Sequence, residues 1–203
     1  MSNSWVVPPL DAPAYRLWTL QPVDFWNKCQ EQGIVRIDGR RVDADLRPAY
    51  RWLMGQMKTR IRDYKGHFPV WSWFCPKPDL RRVNAWWREL GVRIEFEAPA
   101  NAVLLTHFEA WHSVLNGQYL AHTEAEWDEF AARFPKSSLR RGLVFDDPAE
   151  QAMVQATWER VFDLAIADHG LDWWGADPPR VQAATEFVPL DWVKKVTPFG
   201  GKR

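Results

Sequence analysis

Tryptophan is the feature of this sequence that most limits how the chain can fold, because 14 of its 203 residues are Trp. An indole ring is large, and its N–H group needs a hydrogen-bond acceptor once it is buried. Each Trp must therefore pack in a core that supplies an acceptor or line a surface that water reaches. The count alone does not separate an aromatic core from an aromatic-lined binding groove.

Length, charge and cysteine content favour one self-contained domain. A chain of 203 residues can build a core without disulfides or metals. Its 26 basic and 26 acidic residues balance, whereas general nucleic-acid binders usually carry a basic field. Cys29 and Cys75 form no paired motif, which is typical of a reduced intracellular protein. Because neither a signal peptide nor an apolar run of about 20 residues is found, we expect a cytoplasmic protein without membrane contact.

Proline, glycine and capping residues predict where helices begin and end. The predicted helices begin near Val23, Asp45 or Pro48, Asp79, Thr106, Thr123 and Asp147. The first is expected to end at Gly33 and the last to run as far as His169. Thr106 and Thr123 are each followed three residues later by Glu, which is the capping-box pattern.

Short runs of β-branched and aromatic residues predict strands. The clearest is 92–98, in which apolar residues alternate with charged ones that face water. Others are predicted at 15–20, 34–37, 69–74, 102–105, 181–187 and 190–196. Together these elements predict an α+β fold: a single compact domain with short mixed or antiparallel strands and about five or six helices. We place it at residues 15–199, between an N-terminal arm (1–14) and a C-terminal tail (200–203).

No local motif defines a catalytic centre. The glycines match neither a phosphate-binding loop nor a dinucleotide fingerprint, and neither cysteine has a nucleophile signature. His107 and His112 are five residues apart, about 140° out of register on a helix, so we expect no metal. The basic and aromatic stretch around Arg60 suits a phosphate or a stacked base. A charge run at a helix end is more often a solvated face.

The Trp residues fall into two groups by their setting. Those with apolar neighbours at helical spacing are predicted to pack in the core: Trp26, Trp52, Trp86, Trp127 and Trp158. Trp18, Trp71 and Trp73 lie on short strands beside polar residues, where they can line a groove. Trp173 and Trp174 lie in a loop, where scaffolds often present binding groups.

A helix with interspersed polar groups is a second candidate site element. It carries His107, Trp111, His112 and Asn116. The sequence leaves open whether this helix lines a site or belongs to the core.

Four segments resemble an uncharacterised bacterial family, the domain of unknown function DUF3841. They are residues 17–21, 49–54, 69–73 and 103–116, of which the last is the most specific. The resemblance covers about residues 15–199. Because the family has no established activity, the resemblance implies no mechanism.

The order of polar residues along the strands also resembles small ADP-ribosyltransferase-like folds. That resemblance implies NAD as the cofactor, bound through its pyrophosphate by Arg16 and through its nicotinamide by the strand Trp rings. It implies that Gln182 or Glu186 stabilises an oxocarbenium-like centre. The candidate catalytic residues are then Arg16, Thr19, Gln182 and Glu186. The candidate ligand-binding residues are Trp18, Gln21, Arg60, Trp71, Ser72, Trp73, His107, Trp111, His112 and Asn116.

Two functions follow as expectations. The first is an ADP-ribosyltransferase-like domain that binds NAD or a related nucleotide in an aromatic-lined cleft. The alternative is a non-catalytic binding or regulatory domain that uses a Trp-rich groove for a partner protein, peptide or small ligand. Either would act as a monomer or a homodimer.

Overall fold

The computed structural model of the protein describes residues 9–86, 89–138, 142–164 and 180–200. Over these residues the fold combines seven α-helices with eight strands, and the large sheet is mostly antiparallel. The predicted α+β class is therefore confirmed. The chain packs as two compact units, which we describe separately. Unit 1 takes in the described residues of Met1–Gly39, Met54–Leu104 and Gln182–Arg203, and unit 2 those of Arg40–Leu53 and Leu105–Val181.

The helices are short and the strands form two sheets. The helices are α1 (Val23–Gln32), α2 (Arg47–Arg60), α3 (Leu80–Trp86), α4 (Phe108–Leu115), α5 (Glu124–Arg133), α6 (Pro135–Ser138) and α7 (Pro148–Thr157). The strands are β1 (Ala14–Pro22), β2 (Ile34–Val35), β3 (Val70–Cys75), β4 (Leu90–Pro99), β5 (Val103–His107), β6 (Val181–Thr185), β7 (Val188–Pro189) and β8 (Val193–Gly200). The larger sheet has the order β5-β6-β3-β1-β4-β8, and β2 pairs with β7. In the described part of the chain, no helix has the length and apolar character needed to cross a membrane.

Three helix boundaries follow from local chemistry, as predicted. Helix α1 ends at Gly33, whose φ of 72° is a left-handed conformation that glycine adopts without a steric penalty. Thr123 caps α5, since its hydroxyl accepts a hydrogen bond from the Glu126 N–H at 3.1 Å. Asp147 caps α7 by accepting from the Ala149 N–H at 2.8 Å.

Two other boundaries differ from the prediction. Thr106 does not open a helix, because strand β5 continues to His107, and His107 is the residue that caps α4. Helix α7 ends at Thr157 and passes into a 3₁₀ turn over Trp158–Phe162, well short of the predicted end at His169. The Thr157 hydroxyl donates to the Val154 carbonyl at 2.6 Å, a local bond that competes with regular helix. Residues 165–170 lie outside the described residues.

Strand β1 is central to the sheet of unit 1. It pairs antiparallel with β3 on one side and with β4 on the other. Tyr15, Leu17 and Thr19 of β1 are buried, whereas Arg16 and Trp18 are not, because successive side chains of a strand point to opposite faces. We call the surface that carries Arg16, Trp18, Trp71, Trp73 and Glu95 the outer face, and the opposite, buried surface the inner face.

Unit 2 is built mainly from helices and has an aromatic core. Trp158 is fully buried, and its indole N–H donates to the Gln118 carbonyl at 2.8 Å. The Trp52 ring lies edge-on to Trp158 at 5.5 Å and stacks on Phe162 at 5.9 Å. These two helical Trp residues pack together, as predicted.

The other helical Trp residues differ in how much the structure describes. Trp26 is buried in unit 1, and Trp127 lies 5.9 Å from Phe130 in unit 2. The side chain of Trp86 lies outside the described residues, as do Trp173 and Trp174.

Candidate ligand-binding site

Three strands bring two indole rings and a carboxylate together on the outer face of unit 1. Trp18 lies directly opposite Trp73 on one side and opposite Glu95 on the other. Directly opposite side chains on one face of an antiparallel pair are near neighbours. Trp71 lies two residues before Trp73, on the same face, and all three rings are half-buried.

Exposed cations surround this aromatic group. The Lys77 ammonium lies 3.3 Å from Glu95 Oε2 and 5.3 Å from the centroid of the Trp18 ring. Arg16 Nε lies 3.7 Å from Glu95 Oε1. The side chains of Arg16 and Lys77 are 62% and 46% exposed, against 13% for Glu95. Lys195 of β8 lies opposite Glu95 on its other side.

The Glu95 carboxylate is held in its charged form. Burial raises its pKa, but its neighbours Trp18, Lys77 and Arg16 together hold the pKa of Glu95 below its ordinary value. The outer face therefore presents a fixed negative charge beneath two solvent-exposed positive ones.

A short segment after β3 bounds the outer face at its β4–β8 end. Arg93 of β4 donates from its guanidinium to the Pro78 carbonyl at 2.8 Å, and α3 packs against β8. At this end, a Cβ at Gly91 would lie 2.5 Å from the ring of Phe199, its partner on β8. Phe199 is only 6% exposed, so its ring packs closely over Gly91 at this end of the sheet.

The structure divides the predicted strand residues between the two faces. Arg16, Trp18, Trp71 and Trp73 share the outer face. Thr19 and Ser72 are 2% and 3% exposed on the inner face. The Gln21 amide donates to the Thr19 hydroxyl at 2.8 Å, so these two side chains bond each other.

Glu186 anchors a loop of unit 1. Its carboxylate is 5% exposed and accepts from the Lys65 N–H at 2.8 and 2.9 Å and from the His67 N–H at 3.0 Å. His67 Nδ1 lies 2.8 Å from the same carboxylate. Burial raises the pKa of Glu186, but the His67 and Lys65 donors hold it below its ordinary value. The neighbouring Tyr64 has its pKa raised to about 12 by burial and by the Glu186 charge.

Gln182 and Arg60, also in unit 1, have contrasting environments. Gln182 on β6 is 7% exposed, and its amide nitrogen has no hydrogen-bond partner among the described residues. Arg60, in the last turn of α2, is exposed and bonds to Gln56 and Thr59.

In α4, the candidate helix of unit 2, the polar side chains form hydrogen bonds with the backbone of the helix itself. Asn116 donates to the His112 carbonyl at 2.7 Å, and His112 Nδ1 lies 2.8 Å from the Phe108 carbonyl. Trp111 is 3% exposed and lies edge-on to Tyr50 at 5.7 Å. These contacts make α4 a packed and capped core helix.

His107 is buried at the start of α4. It is 4% exposed, and its Nδ1 accepts from the Ala110 N–H at 3.4 Å. Burial lowers the pKa of His107, so the ring is neutral at pH 7. Next to it, Arg180 pairs with Glu109 and lies over the Phe108 ring at 4.6 Å. Within the described residues, no three His, Cys, Asp or Glu side chains are grouped so that they could hold a metal ion.

Sequence reasoning missed Glu95 and Lys77. The alternation of β4 places Glu95 on the face away from the core, which predicts a solvated side chain rather than one that is 13% exposed. Its neighbour Trp18 belongs to another strand, which the local sequence does not reveal. Lys77 lies between two prolines and carries no motif, so no local signal was available for either residue.

The aromatic and charged face of this α+β fold does not by itself identify a reaction. Residues 16–194 match the model of the family described as "Domain of unknown function (DUF3841)". Because this match spans most of the 203 residues, the protein belongs to the DUF3841 family, as its sequence predicted. No curated protein and no solved structure gives a significant match.

Proposed function

We propose that the protein binds a nucleotide on the outer face of unit 1, with NAD as the first ligand to test. The observation that carries this proposal is the half-buried Trp18–Trp73 pair with Arg16 and Lys77 exposed beside it. Indole rings stack on bases and on nicotinamide, while guanidinium and ammonium groups bind phosphates.

The balance of charge on the outer face supports an anionic ligand. Its basic residues are Arg16, Lys77, Arg93 and Lys195, and its acidic residues are Glu95 and Glu97. Because the described basic groups outnumber the acidic ones, a diphosphate finds a favourable field there.

ADP-ribosyl transfer is a narrower proposal than binding. It would need an acidic or amide group at the ribose carbon that releases nicotinamide. The Glu186 carboxylate already accepts from Lys65 and His67, and Thr19 lies on the inner face. Ligand binding is therefore the part of the function that the geometry supports best.

A partner protein or peptide is the second candidate ligand of the same face. Half-exposed Trp rings with a charged rim have the composition of interaction hot spots. In either case we propose a cytoplasmic protein, in which the free thiols of Cys29 and Cys75 would stay reduced.

Calorimetric titration of the full chain with NAD, its fragments and common nucleotides tests the proposal. We expect NAD to bind, and we expect Trp73→Leu to weaken binding by at least about tenfold, since a base–aromatic stack contributes about 1–3 kcal/mol. Trp127→Leu is the matched control, because it removes another half-buried Trp in unit 2 and should leave the affinity unchanged.

The absence of any heat or thermal shift with all these compounds would overturn nucleotide binding and favour the partner-binding function. Equal losses in the Trp73 and Trp127 variants would also contradict the proposed location. Release of nicotinamide by the wild-type protein, measured in the same samples, would support the transferase function.

A further inference from the structure

The protein already holds a cation on its outer face. The ammonium of Lys77 lies over the Trp18 ring at 5.3 Å and within 3.3 Å of the Glu95 carboxylate. An aromatic face beside a carboxylate is the arrangement with which proteins bind positively charged ligands. Trp18 and Glu95 are paired across β1 and β4, so the sheet fixes their spacing, whereas Lys77 reaches them on a flexible side chain.

We infer that Trp18 and Glu95 form a subsite for a positively charged aromatic ring, and that Lys77 occupies this subsite in the absence of ligand. The inference rests on the proposed function and makes it more specific, because it names the charge of the bound ring. The oxidised nicotinamide ring is cationic and the reduced ring is neutral, so the subsite selects the oxidised form.

Lys77 can be displaced at little cost. Its side chain is 46% exposed, and ion pairs at such exposure contribute little to stability. The Glu95 carboxylate is 13% exposed and already partly desolvated. When Lys77 leaves, a neutral ring would leave that charge less well compensated, whereas a cationic ring replaces the lost positive charge.

The remaining charges suit the rest of such a ligand. Arg16 lies 3.7 Å from Glu95 on one side, and Lys195 lies opposite Glu95 on the other. A nicotinamide nucleotide carries a positive ring and negative phosphates within one molecule. Its ring can therefore meet Glu95 while a phosphate meets Arg16 or Lys195, which a simple cation or a simple anion cannot match.

The decisive experiment compares the oxidised and reduced forms of nicotinamide mononucleotide, which share one phosphate and one ring size. In calorimetric titrations of the full chain, we expect the oxidised form to bind at least about tenfold more tightly, the range of a partly desolvated cation–π and ion pair. Glu95→Gln should bring the two affinities close together. Glu97→Gln is the matched control, because Glu97 lies two residues along the same strand, and it should preserve the difference.

A Lys77→Met variant tests the internal occupant. If Lys77 fills the subsite, this variant should bind the oxidised form several-fold more tightly and change the affinity for the reduced form less. Equal weakening of both forms would mean that Lys77 binds the phosphate, which overturns its role as occupant.

The outcomes separate the inference from the function on which it rests. Equal binding of oxidised and reduced forms by wild-type protein would overturn the charge-selective subsite and leave nucleotide binding intact. Binding of neither form by the wild-type or Lys77→Met protein would overturn the subsite, and the titrations with NAD and common nucleotides then decide whether nucleotide binding falls with it. If the Glu95→Gln variant still prefers the oxidised form, Glu95 is not the group that selects the positively charged ring.

Discussion

The tryptophans of unit 2 and those on the strands of unit 1 differ in how deeply their rings are buried and in which groups contact them. In unit 2, Trp158 is fully buried, its N–H bonds the Gln118 carbonyl, and its ring meets Trp52 edge-on. In unit 1, Trp18 is half-buried and its ring carries a lysine that solvent reaches. The Trp158 N–H is held by a backbone carbonyl, whereas the Trp18 ring is contacted by a lysine side chain that a ligand can displace.

This difference distinguishes Trp rings that only pack in a core from Trp rings that can bind a ligand. A ring whose polar group is satisfied by a carbonyl and whose faces meet other rings has no surface left for a ligand. A ring beside mobile charges keeps part of its surface for binding. The carboxylates of unit 1 differ in the same way, since Glu186 accepts from backbone N–H groups and Glu95 is paired with the side chains of Arg16 and Lys77.

The largest expected effect tests the two kinds of Trp directly. Trp158→Ala should lower the free energy of unfolding by about 4 kcal/mol, because it leaves a large cavity in a closed core. Trp73→Ala should cost about 1 kcal/mol, because its ring is half-buried and loses less apolar contact. Chemical denaturation followed by circular dichroism measures both. Equal losses would mean that Trp73 is a core residue and that the distinction is wrong.

A smaller effect tests the two kinds of carboxylate. Glu186→Ala should destabilise the protein by about 3 kcal/mol, because it leaves the N–H groups of Lys65 and His67 without their acceptor. Glu97→Ala, at an exposed position of β4, is the control and should change stability by less than about 0.5 kcal/mol. If denaturation curves of the Glu186 variant match those of the control, Glu186 does not anchor the loop.

Features of the fold that depend on a few adjacent residues could be predicted from the sequence. Gly33 ends α1 and Asp147 begins α7 because a left-handed glycine and a capping carboxylate act within one turn. The capping pattern at Thr106 was misleading for a physical reason. Thr106 is buried in β5, so pairing in the sheet overrides a local signal that has the right spacing.

The candidate site could be predicted only in part. Alternation along β3 correctly placed Trp71 and Trp73 on one face. The same rule places Arg16 and Thr19 on opposite faces, since they are three residues apart, and the structure shows this separation. The neighbours of β1 could not be predicted, because strand order depends on the whole chain. Glu95 therefore became part of the site only once β4 was seen beside β1.

The smallest expected effect is the pH dependence that the Glu186 carboxylate gives to the stability of the protein. The pKa of Glu186 is lowered in the folded protein by its amide and His67 donors. A lowered pKa adds stability that is fully present above the unfolded value of about 4.3 and is lost as pH falls through the folded pKa. Denaturation between pH 7 and pH 3 should therefore show a steeper loss of stability for wild-type protein than for Glu186→Gln.

The lowered pKa values of Asp79, Glu95 and Glu126 add the same sign of pH dependence in both proteins, so the difference between the two curves reports Glu186 together with its contacts to His67 and Lys65. Superimposable curves below pH 4.3 would mean that the Glu186 carboxylate gains nothing from its donors. The same titration on Glu95→Gln should give a curve closer to wild type, because Arg16 and Lys77, which pair with Glu95, are solvent-exposed and their attraction is screened. Glu186, which backbone N–H groups bind, should therefore dominate the loss of stability in acid, and Glu95, which we assign to the ligand subsite, should contribute less.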